Sequence, residues 1–218
     1  MMTFKNLILL CLVGSFFNIL KAEEIKMRVE WEKLFQYWIA QKVEYWHHDK
    51  KIQFTAKTKC KGATKLEIKD LERHFSDIPA SLLESLSTCN ESNRWFGFNG
   101  WGLLYGSHEI IETSKSLDGS CTKQKGIYKI VDHRITNPSC LFPKEWIPIF
   151  DWNGDYFVVI DMLSKPQGQI ILISFEESKI VKWADSYEEW FEMAVDEVIK
   201  YGELRVETIE EVLAKALK

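Results

Sequence analysis

The dipeptide Asn153-Gly154 lies between two apolar runs and constrains the fold more than any other short stretch of this sequence. Both residues tolerate a positive φ, which a two-residue hairpin turn requires, so the two runs are predicted to pair as antiparallel strands. These strands are predicted at Trp146–Phe150 and Tyr156–Ile160. Pro148 cannot donate a hydrogen bond to a neighbouring strand, which predicts a bulge or a sheet edge there.

Three helices are predicted before these strands. The first is predicted to extend towards Val43 and Trp46, and its apolar stripe is formed by Trp31, Leu34, Phe35, Trp38 and Ile39. Thr64 and Glu67 form a Thr-x-x-Glu capping box, which predicts the start of a second helix. Pro79 predicts a third helix, because a residue without an N–H is well tolerated in the first helical turn.

The chain returns to helix after two more strands, predicted at 169–175 and 179–183. Asp185 and Glu188 are predicted to cap a long helix, and Gly202 fits the position just past its end. The order of elements is therefore helices, antiparallel hairpins and helices again. This order predicts an α+β fold, with an antiparallel sheet of hairpin strands flanked by N-terminal and C-terminal helices.

One domain accounts for most of the chain. We expect it to span residues 28–202, followed by a C-terminal helical extension at 203–218. Ser107 is expected to cap a short helix. The polar stretch 113–140, with one strand candidate at 127–131, is predicted to be an inserted excursion.

Residues 1–22 have the pattern of a secretory signal peptide. Lys5 precedes an apolar stretch from Leu7 to Leu20, and Ala22 offers a cleavage point. The apolar stretch is too short for a comfortable membrane span, so no stable membrane insertion is expected after signal removal. We expect a periplasmic or secreted protein. The alternative is translation from Met27, which predicts a cytoplasmic protein.

The cysteines outside this segment have polar neighbours and number four: Cys60, Cys89, Cys121 and Cys140. Because reduced cysteines are usually buried among apolar residues, this setting predicts two disulfides formed in an oxidising compartment. Sequence leaves three pairings open. The favoured one joins nearest neighbours, Cys60 with Cys89 and Cys121 with Cys140.

Composition excludes some functions. The net charge of −4 and the absence of a run of basic residues with interleaved aromatics argue against direct nucleic-acid binding. Nine Trp, thirteen Phe and seven Tyr supply material for a large core, and most of the Trp lie at apolar-periodic positions. The alternative interpretation is a carbohydrate site that uses Arg94, Trp95 and Trp101 for stacking and Glu176 and Glu177 as paired acids.

No catalytic, metal or cofactor motif is found. The sequence lacks a Gly-x-Ser-x-Gly elbow, a phosphate-binding glycine loop and a His-Glu-x-x-His motif. His47-His48-Asp49 is not followed by a spaced third ligand, so a solvated loop is favoured over a metal site. Asp151–Asp155 is too short for an EF-hand loop and lacks its closing glutamate, which favours a hairpin turn.

From Thr64 to Tyr201 the chain resembles the SUKH superfamily of Smi/Knr-type domains. The motifs occur in the order of that family: Ile68-Lys-Asp-Leu-Glu72, Pro79–Leu86, Asn99-Gly100, Trp146-Ile-Pro-Ile149, Asn153-Gly-Asp155 with Asp161, and Ala184–Phe191. The resemblance implies a non-enzymatic protein that binds another protein. Many bacterial members are immunity proteins that block toxin domains, often nucleases or deaminases. The insertion at 113–140 and the signal peptide depart from the family pattern.

The clustered polar residues of the predicted hairpin give the candidate partner-binding site: Asp151, Asn153, Asp155 and Asp161. Their carboxylates are predicted to form an acidic rim for a basic protein partner, such as a basic toxin domain. The resemblance implies neutralisation of a toxin or another protein-binding role. An exported carbohydrate-binding or carbohydrate-active protein is the alternative.

Overall fold

The computed structural model describes residues 26–47, 50–56, 60–90, 102–118, 130–131, 134–135, 142–152, 154, 156–164, 166–174 and 179–215. These residues form six helices and nine strands. The helices are α1 (26–40), α2 (Lys65–His74), α3 (Ala80–Thr88), α4 (Ser107–Asp118), α5 (Tyr187–Tyr201) and α6 (Val206–Lys215). The strands are β1 (Glu44–His47), β2 (Lys50–Gln53), β3 (Gly102–Leu104), β4 (Ile130–Val131), β5 (Arg134–Ile135), β6 (Trp146–Trp152), β7 (Tyr156–Asp161), β8 (Gln169–Ser174) and β9 (Lys179–Ala184). The predicted α+β class is confirmed.

The main sheet contains the predicted hairpin as its strands β6 and β7. Among the described residues it has the order β3-β6-β7-β8-β9-β5-β4, and every neighbouring pair is antiparallel. Trp152 pairs with Tyr156 across the turn, in which Gly154 has a φ of 79°. The pairing shifts between Pro148 and Phe150, so the predicted bulge is present. β6 lies between β3 and β7, but β3 pairs only with residues 150–152, so Pro148 lies beyond the described pairing with β3.

The core lies on both faces of the central strands. Consecutive residues of a strand point to opposite faces. In β7, Val158, Val159 and Ile160 are all fully buried, and β8 shows the same pattern, so both faces of these strands are covered. The helix α4 packs on β6, while α5 contacts β8 and β9.

The three helices α1, α3 and α5 meet around one buried hydroxyl group. Trp31 of α1 donates its indole N–H to Ser85 of α3, at 2.9 Å. The same hydroxyl lies 2.9 Å from the hydroxyl of Tyr187, the first residue of α5. Trp31 also packs on Phe191, with 5.0 Å between ring centroids. The predicted apolar stripes of α1 and α5 therefore pack against each other.

Two helix boundaries differ from prediction. The first helix ends at residue 40, and Lys42 adopts a φ of 52°, so Trp46 belongs to strand β1 and not to the helix. The cap of α5 is Ser186, whose hydroxyl accepts from the N–H of Glu189. The capping pair is therefore one residue later than the predicted Asp185 with Glu188. The capping box of Thr64 and Glu67 and the left-handed Gly202 are as predicted.

The stretch 113–140, predicted to be an inserted excursion, contributes residues to a helix and to the main sheet. Helix α4 continues to Asp118, because Ser114 and Leu117 extend its inward face beyond Ile110. The short strands β4 and β5 then pair with each other, and β5 pairs with β9. The insertion therefore lengthens the main sheet at its far edge.

Helix α6 is packed onto the domain. It contacts β9, and three apolar residues from the segment that carries it are buried: Leu204, Ile209 and Val212. The predicted extension at 203–218 therefore contributes to the same core over its described part. Residues 1–22, predicted to be a signal peptide, lie outside the described residues.

A disulfide links the segment before α2 to the end of α3. Cys60 and Cys89 are bonded, with 5.0 Å between their Cα atoms. The segment before α2 runs beside α3, since Ala63 donates to the Leu86 carbonyl at 2.8 Å. A Cβ on Gly62 would lie 1.8 Å from the Ser87 carbonyl oxygen, so the close approach requires glycine. Cys121 and Cys140 lie outside the described residues.

Candidate functional site

Asp161 does not belong to an exposed acidic rim. Its side chain is buried, and its Oδ1 accepts three hydrogen bonds: from the indole N–H of Trp146 at 3.0 Å, from the N–H of Leu163 at 2.8 Å and from the N–H of Ser164 at 3.3 Å. A buried carboxylate must be paired or hydrogen-bonded, and here β6 and the turn after β7 supply the donors. The partner-binding interpretation of Asp161 is therefore replaced by a structural role.

Asp151 is also engaged within the fold. Its Oδ1 accepts from the N–H of Gly154 at 2.7 Å, which closes the hairpin turn. It also contacts the hydroxyl of Tyr105, and burial, reinforced by the Asp151 charge, raises the pKa of that tyrosine. Asn153 and Asp155 lie outside the described residues. The structure therefore places two of the four predicted site residues in the framework of the hairpin.

Other sequence candidates remain predictions. His48, Asp49, the stacking candidates at 94–101 and the acid pair at 176–177 lie outside the described residues. Within the described part of the chain, no three His, Cys, Asp or Glu side chains come together as a metal site would require. No described helix is long and apolar enough to cross a bilayer.

The two C-terminal helices concentrate the negative charge of the chain. Residues 187–215 contain nine acidic and three basic residues, a net charge of −6, which leaves 23 acidic and 25 basic residues elsewhere, a net charge of +2. Several of these acids are exposed, including Asp196 of α5 and Glu210 and Glu211 of α6. We call the outward surface of 187–215 the acidic face.

One acid of this face is held by the N-terminal helix. Lys26 of α1 forms an ion pair with Glu192 of α5 at 2.7 Å, and both side chains remain nearly half exposed. The hydrogen bond to Lys26, followed by its charge, lowers the pKa of Glu192, and the same contact raises the pKa of Lys26. This pair links α1 to the acidic face.

A groove lies within the acidic face, between β9, α5 and α6. Its volume is about 320 Å³. The walls are mainly apolar and aromatic at Trp183, Trp190, Met193, Ala194, Tyr201 and Leu204, and the polar lining residues are Asp196, Glu197, Lys200 and Thr208. An apolar centre with charged residues around it is the usual anatomy of a protein-binding hot spot.

A polar network fixes one side of this groove. Glu197 accepts from the hydroxyl of Thr208 at 2.7 Å and from the Arg205 guanidinium at 3.3 Å. The Arg205 guanidinium also stacks over the ring of Tyr201, 3.8 Å from its centroid. The turn between α5 and α6 is thereby held in one arrangement.

The two carboxylates of the groove lining, Asp196 and Glu197, differ in their surroundings. Glu197 is occupied by Arg205 and Thr208, which leaves Asp196 as the exposed carboxylate of the groove.

Sequence reasoning missed this groove. It requires Trp183 of a strand to meet residues of two later helices, and no local periodicity reports that contact. The signal that could have found it is the charge imbalance, because nine of the 32 acidic residues fall within 29 positions.

A comparison with protein-family models gives a match over most of the chain. The model of the SMI1 / KNR4 family (SUKH-1) matches residues 62–193, which is 132 of the 218 residues. The chain belongs to the SMI1 / KNR4 family. A search among curated proteins finds no significant relative. The SMI1 / KNR4 match runs from just before α2 to Met193 in the middle of α5, so the groove straddles its end: Trp183 and Trp190 lie inside it, whereas Asp196 and Thr208 lie beyond it.

Proposed function

We propose that this protein is a non-enzymatic immunity protein that binds and neutralises a basic toxin domain, and that the acidic face contacts the toxin. The observation that carries the proposal is the concentration of negative charge: residues 187–215 have a net charge of −6, whereas the rest of the chain after residue 22 has 23 acidic and 23 basic residues, a net charge of 0. Family membership is compatible with an immunity role.

This concentration of negative charge fits a partner that acts on nucleic acid. Nucleases and deaminases need basic surfaces to bind the phosphate backbone, and an acidic face complements such a surface. Complementary charge mainly speeds encounter and sets specificity, while apolar contacts at the centre slow dissociation. The acidic face offers both, because its groove has an apolar, aromatic floor.

A search of the genes adjacent to this one for a toxin domain, followed by co-expression with that domain, tests the proposal. The face variant carries Asp196→Lys, Glu210→Lys and Glu211→Lys, and the matched control reverses three exposed acids elsewhere, Asp70→Lys, Glu72→Lys and Asp77→Lys. We expect the control to protect the cells and the face variant to fail, with both proteins folded by circular dichroism. Equal protection by the two variants would contradict the proposal.

We further propose that the protein is exported. The disulfide between Cys60 and Cys89 supports this, because such bonds persist in oxidising compartments. Mass spectrometry of the natural protein should find an amino terminus near residue 23 and no free thiol at Cys60 or Cys89. A protein that begins at Met27 with reduced cysteines would point to the cytoplasm.

A second candidate function is carbohydrate binding in the same groove. It is favoured by the half-buried Trp183 and the exposed carboxylate of Asp196 in one groove lining, since sugars stack on indole rings and hydrogen-bond to acids. Titration with glycans of known composition distinguishes the two functions. Saturable quenching of tryptophan fluorescence that Trp183→Leu removes supports the sugar site, and unchanged fluorescence across the glycans supports the protein partner.

A further inference from the structure

We infer that the groove of the acidic face receives one arginine side chain of the partner protein, laid between Trp183 and Asp196. The inference rests on the proposed function, because it names the feature of a basic protein partner that the groove recognises. Three observations support the inference: the aromatic wall of the groove, its exposed carboxylate, and the contacts by which the chain holds its own Arg205 beside the groove.

The aromatic wall suits the body of an arginine side chain. Trp183 and Trp190 stand edge to face, with an interplanar angle of 78° and 6.1 Å between ring centroids. Trp190 is buried and Trp183 is half-buried, so Trp183 presents the accessible surface. Arginine packs its methylene stem on apolar surface and stacks its guanidinium on an indole ring.

One carboxylate of the groove is available to an incoming cation. Glu197 is already bound by Arg205 and Thr208, whereas Asp196 is exposed. The ammonium group of Lys200, the one basic lining residue, lies 4.7 Å from the centroid of the Tyr201 ring. Asp196 is therefore the carboxylate that an incoming cation meets.

The fold already contains one example of this recognition. The Arg205 guanidinium stacks on Tyr201 at 3.8 Å while it bonds to Glu197 at 3.3 Å. An aromatic ring with an adjacent carboxylate thus holds a guanidinium at this end of the domain. Trp183 and Asp196 offer a second ring and a second carboxylate within the same groove. Arginine fits better than lysine, because a planar guanidinium stacks and bonds to a carboxylate at the same time.

Capped synthetic peptides test the arginine site on the full chain. The probe is Ac-Ala-Leu-Arg-Leu-Ala-amide, and the matched probes replace arginine by lysine or by citrulline, which keeps the shape and removes the charge. NMR indole N–H signals, assigned through single Trp→Phe variants, report the site. We expect the arginine peptide to shift Trp183 and Trp190 saturably, and the citrulline peptide to bind at least about fivefold more weakly, since it lacks the cation–π and ion-pair contacts.

Two protein variants locate the peptide. Asp196→Asn should weaken the arginine peptide about threefold, the scale of an exposed ion pair. Glu210→Gln removes the same charge from an exposed site outside the groove lining and should leave the affinity within the error of the titration. Equal binding of the arginine and citrulline peptides, or equal loss in the two variants, would overturn the inference.

The complex with the toxin domain separates the inference from the proposed function. Met193 and Ile199 are exposed to the same extent on α5, at 38% and 37%, but only Met193 lines the groove. Met193→Lys should therefore weaken the complex at least about tenfold, and Ile199→Lys less than about threefold. A complex that tolerates both Met193→Lys and Asp196→Asn leaves the proposed function standing and refutes the arginine site. An arginine peptide that binds the groove of a chain unable to neutralise the toxin refutes the proposed function instead.

Discussion

The β6–β7 hairpin and the acidic face of α5 and α6 both carry carboxylates close to aromatic residues, yet the two regions use them in opposite ways. In the hairpin, Asp161 is turned inward and accepts three hydrogen bonds, and Asp151 closes the turn. On the helices, Asp196, Glu210 and Glu211 remain exposed. The hairpin carboxylates maintain the fold, whereas the helical ones are available to a partner.

The difference has a physical origin in the backbone. A tight turn leaves N–H groups without strand partners, and a carboxylate nearby satisfies them. A helix satisfies its own N–H groups in its interior, so a carboxylate on the outward side has no backbone donor to bind. Acids clustered in a hairpin are therefore a weaker indication of a binding surface than acids spread along the outer side of two adjacent helices.

Removal of the Asp161 carboxylate should have the largest effect. Asp161→Ala leaves the Trp146 indole and two backbone N–H groups without this acceptor, so the free energy of unfolding should fall by about 3 kcal/mol. Urea unfolding measures the change, and Glu210→Ala serves as the exposed control, expected within about 0.5 kcal/mol. A change below 1 kcal/mol for Asp161→Ala would show that its carboxylate contributes as little to stability as the exposed carboxylates of the acidic face.

The buried hydroxyl of Ser85 is another polar group that, like the Asp161 carboxylate, stabilises the fold from inside. Ser85→Ala removes the acceptor of the Trp31 indole and the partner of the Tyr187 hydroxyl, and should lower the free energy of unfolding by about 2 kcal/mol. Tyr187→Phe completes a double-mutant cycle measured by thermal unfolding. Additive effects of the two substitutions would show that the shared hydrogen bond contributes nothing to joining α3 and α5.

Charge reversal on α6 should affect association more than stability. Glu210→Lys with Glu211→Lys is expected to change the free energy of unfolding by less than about 0.5 kcal/mol and to slow association with a basic toxin domain about tenfold at low salt. Stopped-flow kinetics at several salt concentrations give the rate. The difference from the natural protein should shrink as salt rises, and a salt-independent difference would exclude electrostatic steering.

The smallest effect is expected for the ion pair of Glu192 with Lys26. Because the pair lowers the pKa of Glu192, its contribution is present above the unfolded pKa of glutamate and is lost as pH falls through the lowered folded value. Both side chains are nearly half exposed, so Glu192→Gln should cost less than about 0.5 kcal/mol at neutral pH. In chemical unfolding experiments the cost should shrink as the pH falls below the unfolded pKa of glutamate, and it should disappear once the pH is below the lowered folded pKa. A cost that persists in acid would indicate lost packing and not lost charge.

Local signals predicted most of the fold. The hairpin signal around Gly154, the capping box at Thr64 and the glycine at 202 each act over a few residues. The structure contains the hairpin with a left-handed Gly154, the capping box and a left-handed Gly202. The strand β1 was mistaken for helix, because Trp46 continues an apolar spacing that the left-handed Lys42 interrupts. Lys42 carries no sequence signal for that conformation.

The candidate site was less accessible to sequence reasoning. Burial of Asp161 depends on Trp146, fifteen residues earlier, pairing across the sheet. The groove depends on α6 packing against β9, which brings Thr208 near Trp183. Both are tertiary contacts, and a pattern of local spacing reports neither of them.

An amide hydrogen-exchange footprint of the full chain with its toxin domain tests the central claim most directly. The account predicts that binding slows exchange in residues 187–215 and leaves 146–161 unchanged. Slowed exchange confined to the β6–β7 hairpin, with α5 and α6 unaffected, would contradict it.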